Sequence, residues 1–356
     1  ISQLFSPSGY YDEGPYYQRF AIQPMLLFAE ALERAWPELG IYRTKDEVIR
    51  RGFYAALYPS FPDGTLVPLN DAIKPMNIRS LGFVIGASLI YRRYAHDARL
   101  LWLAGLHQQV WGDGAGLVLS DAYREQGGQH AHCEFPSIEL SCGPQGEQGA
   151  IGILRSTEGD GEQSVLTMDY GTHGLAEHAH FDGLTLGFYS HGQEVLRDYG
   201  CVRWINVEPK QGGCYLPENN SFAKQTIAHN TITVDETCQH GGDAELAASN
   251  PGIPVQFCAD DPDFQVMSGE IRNYSPGVTI RRTSALLHHP EFEQPLLIDL
   301  CRVRADAPHQ YDYALYYQGQ VIRTDFPCLQ SPELSPLGTA PGSNSSSPRK
   351  PKGTRS

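Results

Sequence analysis

The sequence predicts an α+β multidomain chain in which the C-terminal part of an α/α toroid precedes an antiparallel β-sandwich. Two observations carry this. The apolar residues keep a helical period up to about residue 125, and near 128 the period shortens to the alternation of strands. The helical segments are joined by Gly- and Pro-bearing loops, the pattern of stacked helical hairpins. The expected divisions are residues 1–125 for a partial toroid, 126–326 for the sandwich and 327–356 for a disordered Pro/Ser-rich tail.

The first helix is expected around Gln23 to Leu32, with Pro24 tolerated near its start. Thr44-Lys45-Asp46-Glu47 reads as a helix cap with first-turn acids leading into Val48 and Ile49. Pro62-Asp63-Gly64 reads as a turn, and helices are expected over about 75–94 and 96–110. Four helices are too few to close a toroid. No initiator Met or signal peptide opens the chain at Ile1, so a missing N-terminal part is expected. Strands are expected at Ser164 to Tyr170, Leu184 to Tyr189, Thr231 to Val234, Val278 to Ile280 and Leu296 to Leu300. These runs are short, β-branched or aromatic, and separated by Gly, Asn and Asp. From about 327 apolar residues become scarce, which predicts disorder.

Composition narrows the function classes. A chain of 356 residues with 41% hydrophobic content can bury one large core or two ordinary ones. A net charge of −14 argues against non-specific nucleic-acid binding, while leaving room for a cleft locally lined by Arg and Lys. No apolar run is long enough for a membrane-spanning helix. The eight Cys form no CxxC pair, which argues against a Cys-type zinc site. Tyr outnumbers Phe, 19 to 14, and an aromatic with a polar tip suits either a sugar cleft or a sandwich surface.

The densest chemistry lies between 177 and 231. On a strand, His178, His180 and Asp182 would project to one face. Two imidazoles and a carboxylate, His180, Asp198 and His229, suit Zn²⁺; the other reading is three separate hydrogen-bonded residues. A tight turn at His191-Gly192 would put His180 opposite Arg203 rather than Asp198, so the metal reading needs a bend there. Arg203, with its fork of donors, could clamp a carboxylate, and Tyr215 lies nearby in sequence. Far upstream, Gly14-Pro15-Tyr16-Tyr17 either starts a helix with packed aromatics or presents a Tyr at a cleft rim as an acid or base. Asn70, Asp71 and Lys74 read as a polar loop.

The stretch Ser8-Gly9-Tyr10-Tyr11-Asp12-Glu13-Gly14-Pro15-Tyr16-Tyr17-Gln18-Arg19-Phe20-Ala21 resembles the toroid signature of heparinase II/III-like polysaccharide lyases, including oligoalginate lyases. His178-Ala179-His180-Phe181-Asp182, Asp198-Tyr199-Gly200 and His229-Asn230-Thr231 are similar in order and spacing to that family's sandwich domain. The resemblance implies β-elimination on a uronic-acid polysaccharide or oligosaccharide. Residue by residue it implies Tyr17 as the catalytic Tyr, Tyr16 being the other register, with His178 acting beside it. It implies Tyr215 in proton transfer, Tyr16, Gln18 and Arg203 in substrate binding, and a structural zinc on His180, Asp198 and His229. It further implies a periplasmic or secreted enzyme; the oligomeric state stays open, a homodimer being the assembly considered. Gln18-Arg19 leans the reading towards the oligoalginate branch. Two other classes stand beside it. One is a catalytically silent carbohydrate-binding or scaffold protein. The other is a hydrolytic metalloenzyme on His178, His180 and Asp182, weakened by the lack of a His-Glu-x-x-His helix.

Overall fold

The computed structural model describes residues 5–74, 76–94, 96–128, 135–157, 161–171, 178–202, 216, 219–292 and 294–327, together with the backbone of 334–336 and 346–348. Five helices come first: α1 (Pro15–Ala35), α2 (Val48–Leu57), α3 (Leu81–Arg93), α4 (Ala98–His107) and α5 (Gly114–Glu125). Two antiparallel sheets follow. The first contains β1 (Ile138–Cys142), β2 (Gln148–Thr157), β3 (Gln163–Asp169), β4 (Leu186–Ser190) and β5 (Gln193–Leu196) in sequential order. After β6 (Ile232–Val234) and α6 (Ala244–Ser249), the second contains β7 (Ile253–Cys258), β8 (Phe264–Ser275), β9 (Val278–Leu287) and β10 (Leu296–Ala305), with β10 and β7 at its edges. β11 (Tyr311–Tyr313) pairs with β6. In the tail, the backbone of β12 (Leu334–Pro336) pairs with β13 (Ser346–Pro348); the other tail residues lie outside those described.

α1 begins at Pro15, where Gly14-Pro15-Tyr16-Tyr17 reads as a helix start, eight residues before the apolar run from Gln23. Pro15 occupies its first turn, where a missing N–H costs nothing. Pro24 therefore sits in mid-helix, not near the start. It is exposed, so water can satisfy the carbonyl it leaves unpaired. The expected cap before α2 is absent. Lys45, Asp46 and Glu47 all take positive φ, and no side chain caps the helix. α3 is buried on all sides from Gly82 to Tyr91 and forms the centre of the helical layer. Gly86 lets α2 approach it: a Cβ there would lie 2.0 Å from the Phe53 ring.

The layers follow from strand alternation. Ile151 and Ile153 of β2 and Val165 of β3 face the helical side, packing with Tyr10, Phe61, Val67 and Leu69. Their neighbours Leu154, Leu166 and Met168 face the other way and pack with Met267, Ile271, Ile280 and Leu286 of the second sheet. β3 is consequently buried along its whole length. The first sheet is thus a shared middle layer between helices and second sheet, and its loops open onto both. No helix among the described residues is long and apolar enough to cross a membrane.

Candidate functional site

The site forms where the loop after β3 meets the loop between α2 and α3. Residues 178–185 are not a strand, which corrects the expectation of one polar strand face. His178 and His180 nevertheless reach a common target, Asp71. His178 Nδ1–H donates to Asp71 Oδ2 at 3.1 Å, and His180 Nε2–H donates to Asp71 Oδ1 at 3.0 Å. Lys224 Nζ lies 3.5 Å from Oδ2. The Asp71 and His180 side chains have 0% exposure, so this is a buried charged cluster. Burial alone would raise the Asp71 carboxyl, but His180, Lys224 and His178 hold it below its usual range. Asp71 is the residue that sequence reasoning missed when it treated 70–74 as a polar loop.

That loop is also a joint between layers. Lys74 Nζ pairs with Glu194 of β5, at 2.5 Å from Oε2. Cys201 N–H donates to the Ala72 carbonyl at 2.9 Å. Gly200 makes this approach feasible: its φ is +63°, and an added Cβ would lie 2.5 Å from the Ala72 oxygen. Gly200→Ala should therefore lower stability by about 1–3 kcal/mol, read as a shifted urea midpoint with an unchanged slope.

The aromatic candidate joins the same cluster. The Tyr17 ring stacks on His178 with centroids 4.0 Å apart and planes 20° apart. Tyr16 meets Tyr17 edge-on at 4.8 Å and carries the Arg19 guanidinium over its own ring. Gln18 does not reach a cleft. It is fully buried, and its Nε2 donates to the carbonyls of Gly9 at 2.8 Å and Gly52 at 2.7 Å. Its expected substrate-binding role is corrected on that ground. Arg203 and Tyr215 lie outside the described residues.

Behind His178 sits a second layer of donors. His229 Nδ1–H donates to Asp198 Oδ2 at 2.8 Å, and Asp198 Oδ1 accepts from the Gly200 N–H. Burial would lower the His229 pKa, but Asp198 outweighs it and pushes the imidazole up to about 9. Of the remaining ring nitrogens, His180 Nδ1 is buried without a hydrogen-bond partner, and His229 Nε2 is buried with the Ala223 backbone as its neighbour. Donor atoms of His180, His229 and Asp182 converge within 4.8 Å. Asp182 was expected to share a strand face with His178 and His180, but it lies in a turn. Its carbonyl closes that turn by accepting from Thr185 N–H, and its carboxylate enters the cluster.

The tight turn at His191-Gly192 does form, with both residues at positive φ, as a two-residue hairpin requires. The conflict it posed disappears because His180 is outside the ladder.

Four carboxylates, Asp71, Asp169, Asp182 and Asp198, are buried around these imidazoles. Burial, then the charge of Asp182, drives the Asp169 carboxyl well above its usual range. Holding this many carboxyl groups out of water is costly unless protons or a cation compensate them. With donor atoms of two imidazoles and a carboxylate converging, the residues fit a metal ion such as Zn²⁺. Each histidine already donates its other ring N–H to a carboxylate, the arrangement that fixes a ligand's tautomer.

Residues 138–324 match the family model described as heparinase II/III-like, C-terminal. An alginate lyase from Stenotrophomonas maltophilia is 37% identical over 337 residues, covering 95% of this chain and 44% of that protein. An exo-oligoalginate lyase from Saccharophagus degradans is 36% identical over 326 residues, covering 92% of this chain and 43% of that protein. The chain thus spans less than half the length of these curated relatives. Among solved structures, a heparinase III matches with a TM-score of 0.59 at 14% identity, over 90% of this chain and 42% of that one. A heparan sulfate lyase from Pedobacter heparinus matches with a TM-score of 0.58 at 14% identity, over 84% and 39%. At such identities the structural likeness concerns the fold.

Proposed function

This chain belongs to the heparinase II/III-like family, and on that premise we propose that it is a polysaccharide lyase cleaving uronic-acid chains by β-elimination. The observation that carries the mechanism is the stack of Tyr17 on His178, with Asp71 behind the imidazole. The aligned alginate and oligoalginate lyases support alginate-type oligouronates as the substrate class. The helices α1 to α5 are read as part of an α/α toroid, with the cleft between them and the sheets.

In this reading Asp71 holds His178 with Nδ1 protonated, leaving Nε2 as the basic nitrogen. His178 Nε2 takes the proton from C5 of the uronate. The C–H electron pair forms the C4–C5 double bond as the C4–O4 bond breaks. The Tyr17 hydroxyl gives its proton to the departing O4, and the product is an unsaturated uronate. The two groups are adjacent, which suits a substrate whose C5 hydrogen and C4 oxygen lie on one face. Arg203 is assigned to the substrate carboxylate, where a fork of donors would stabilise the enolate-like charge, and Tyr215 to assisting proton transfer. Tyr16 borders the catalytic ring and is assigned to the substrate-facing rim.

A bound Zn²⁺ would supply charge compensation to the buried carboxylates. His180 and His229 would hold it, with Asp198, the ligand that the family resemblance implies, and Asp182, the carboxylate within reach. The two acids are separable by metal content. Asp198→Asn should reduce bound zinc per chain at least tenfold and lower the melting temperature, with Asp182→Asn retaining more metal. The reverse order, read by elemental analysis, would assign the ligand to Asp182.

The activity is tested by following the short-wavelength ultraviolet absorbance of the conjugated product with alginate oligomers, heparan-type chains and hyaluronan. A rise with an oligouronate supports the proposal. Binding without any rise would favour the silent carbohydrate-binding reading.

A further inference from the structure

The four-stranded sheet has two chemically opposite faces. Arg282 points inward, fully buried, and its Nη1 donates to the carbonyls of Leu184 and Asn230 beside the site, while its fork pairs with Asp299. Arg281, its neighbour in β9, points outward. There it meets Arg302 and Arg304 of β10, with Glu270 and Thr279, around one surface pocket.

The pairing register makes this cluster unusual. Arg281 and Arg302 are direct cross-strand partners, and Arg304 follows two residues later on the same face. Like charges placed directly opposite destabilise a sheet. One carboxylate compensates them in part: Glu270 accepts from Arg281 at 2.6 Å and from Arg272 at 3.2 Å. Among the described residues of this cluster, Arg272, Arg281, Arg302 and Arg304 share the single carboxylate of Glu270. Arg302 and Arg304 are exposed and form no ion pair among the described residues. This stands out on a chain whose net charge is −14. Beside them Leu300 is 65% exposed on the same face, an apolar platform next to cationic forks.

We propose that Arg281, Arg302 and Arg304, with Leu300, form a second binding site for acidic polysaccharide on the sheet face away from the cleft. The planar guanidinium pairs carboxylate bidentately, and a uronate chain presents carboxylates in series along one strand. The C–H faces of its rings can lie on Leu300. The site would hold the polymer while its end is processed elsewhere. This rests on the lyase reading for the choice of polyanion, not for the binding chemistry.

The test is affinity electrophoresis of the full chain in gels cast with alginate or with neutral dextran, repeated in a Tyr17→Phe background so that the matrix is not cut. The unaltered chain should be retarded by alginate alone. Arg302→Ala with Arg304→Ala should weaken the apparent affinity about tenfold per arginine removed. Arg302→Lys with Arg304→Lys should restore part of it, since charge returns without the fork. The alanine pair should raise KM for long polymer and leave turnover of short oligomers unchanged. Equal retardation of the alanine pair, or none of the unaltered chain, overturns the second site. The absorbance assay on short oligomers reads the lyase activity separately, so the two proposals fail independently.

Discussion

Tyr17→Phe should lower kcat by about 10²–10⁴-fold, the usual contribution of a positioned proton donor, with little change in stability. Phenylalanine keeps the ring that stacks on His178 at 4.0 Å and loses only the hydroxyl. A loss of activity therefore reports on chemistry and not on packing. Stability should stay within about 0.5 kcal/mol of the parent, as expected for a change that opens no core cavity. Steady-state rates on an oligouronate and a urea titration of the same sample check both halves. Tyr16→Phe discriminates the register. Tyr16 reaches the site through Tyr17 rather than His178, so its effect should be the smaller of the two. A larger loss at Tyr16 would move the catalytic role by one residue.

Asp71→Ala should be the most damaging single substitution for stability. The carboxylate accepts from two imidazoles and faces Lys224, with no exposure of its own. Removing one member of a buried ionic cluster leaves the others uncompensated, at a cost of about 3–5 kcal/mol. It also frees His178 to rotate and to change tautomer, so any folded fraction should be nearly inactive. Asp71→Asn preserves shape but supplies only one acceptor oxygen for two N–H donors. Its cost should fall between parent and alanine, with activity lost more completely than stability. Chemical denaturation and specific activity per folded molecule separate these effects. An alanine variant that folds as stably as the parent would show that Asp71 merely borders the cluster.

These two residues also show where the sequence was legible. The transition from helices to strands could be read because apolar period is a local property. α5 ends at Glu125 and β1 begins at Ile138, beside the change in period. Tyr17 and His178 were candidates from their own residues, but their pairing came from the family resemblance alone, because the contact spans a sequence separation that no local pattern encodes. Asp71 was hidden for the same reason. It sits 107 residues before His178, in a loop whose polar composition looks ordinary. Gln18 was misassigned because a polar residue beside two tyrosines resembles a cleft residue. Its environment is set instead by the carbonyls of Gly9 and Gly52, which the fold brings to it. Asp182 shows that turn formation and a place in a charged cluster are compatible: its backbone makes the turn and its carboxylate faces the imidazoles. The start of α1 was legible in Gly14-Pro15-Tyr16-Tyr17 and not in the apolar run from Gln23. Pro15 starts α1 on backbone grounds alone, while the apolar stripe becomes evident only further along.

The account turns on whether the chain breaks a glycosidic bond by elimination and not by addition of water. The most direct measurement is mass spectrometry of the products formed from a defined oligouronate in ¹⁸O-labelled water, with absorbance followed in parallel. Elimination predicts a product carrying a C4–C5 double bond, rising absorbance and no solvent oxygen fixed in the cleavage step. A saturated product bearing ¹⁸O would contradict the account and point to hydrolysis at the histidine cluster.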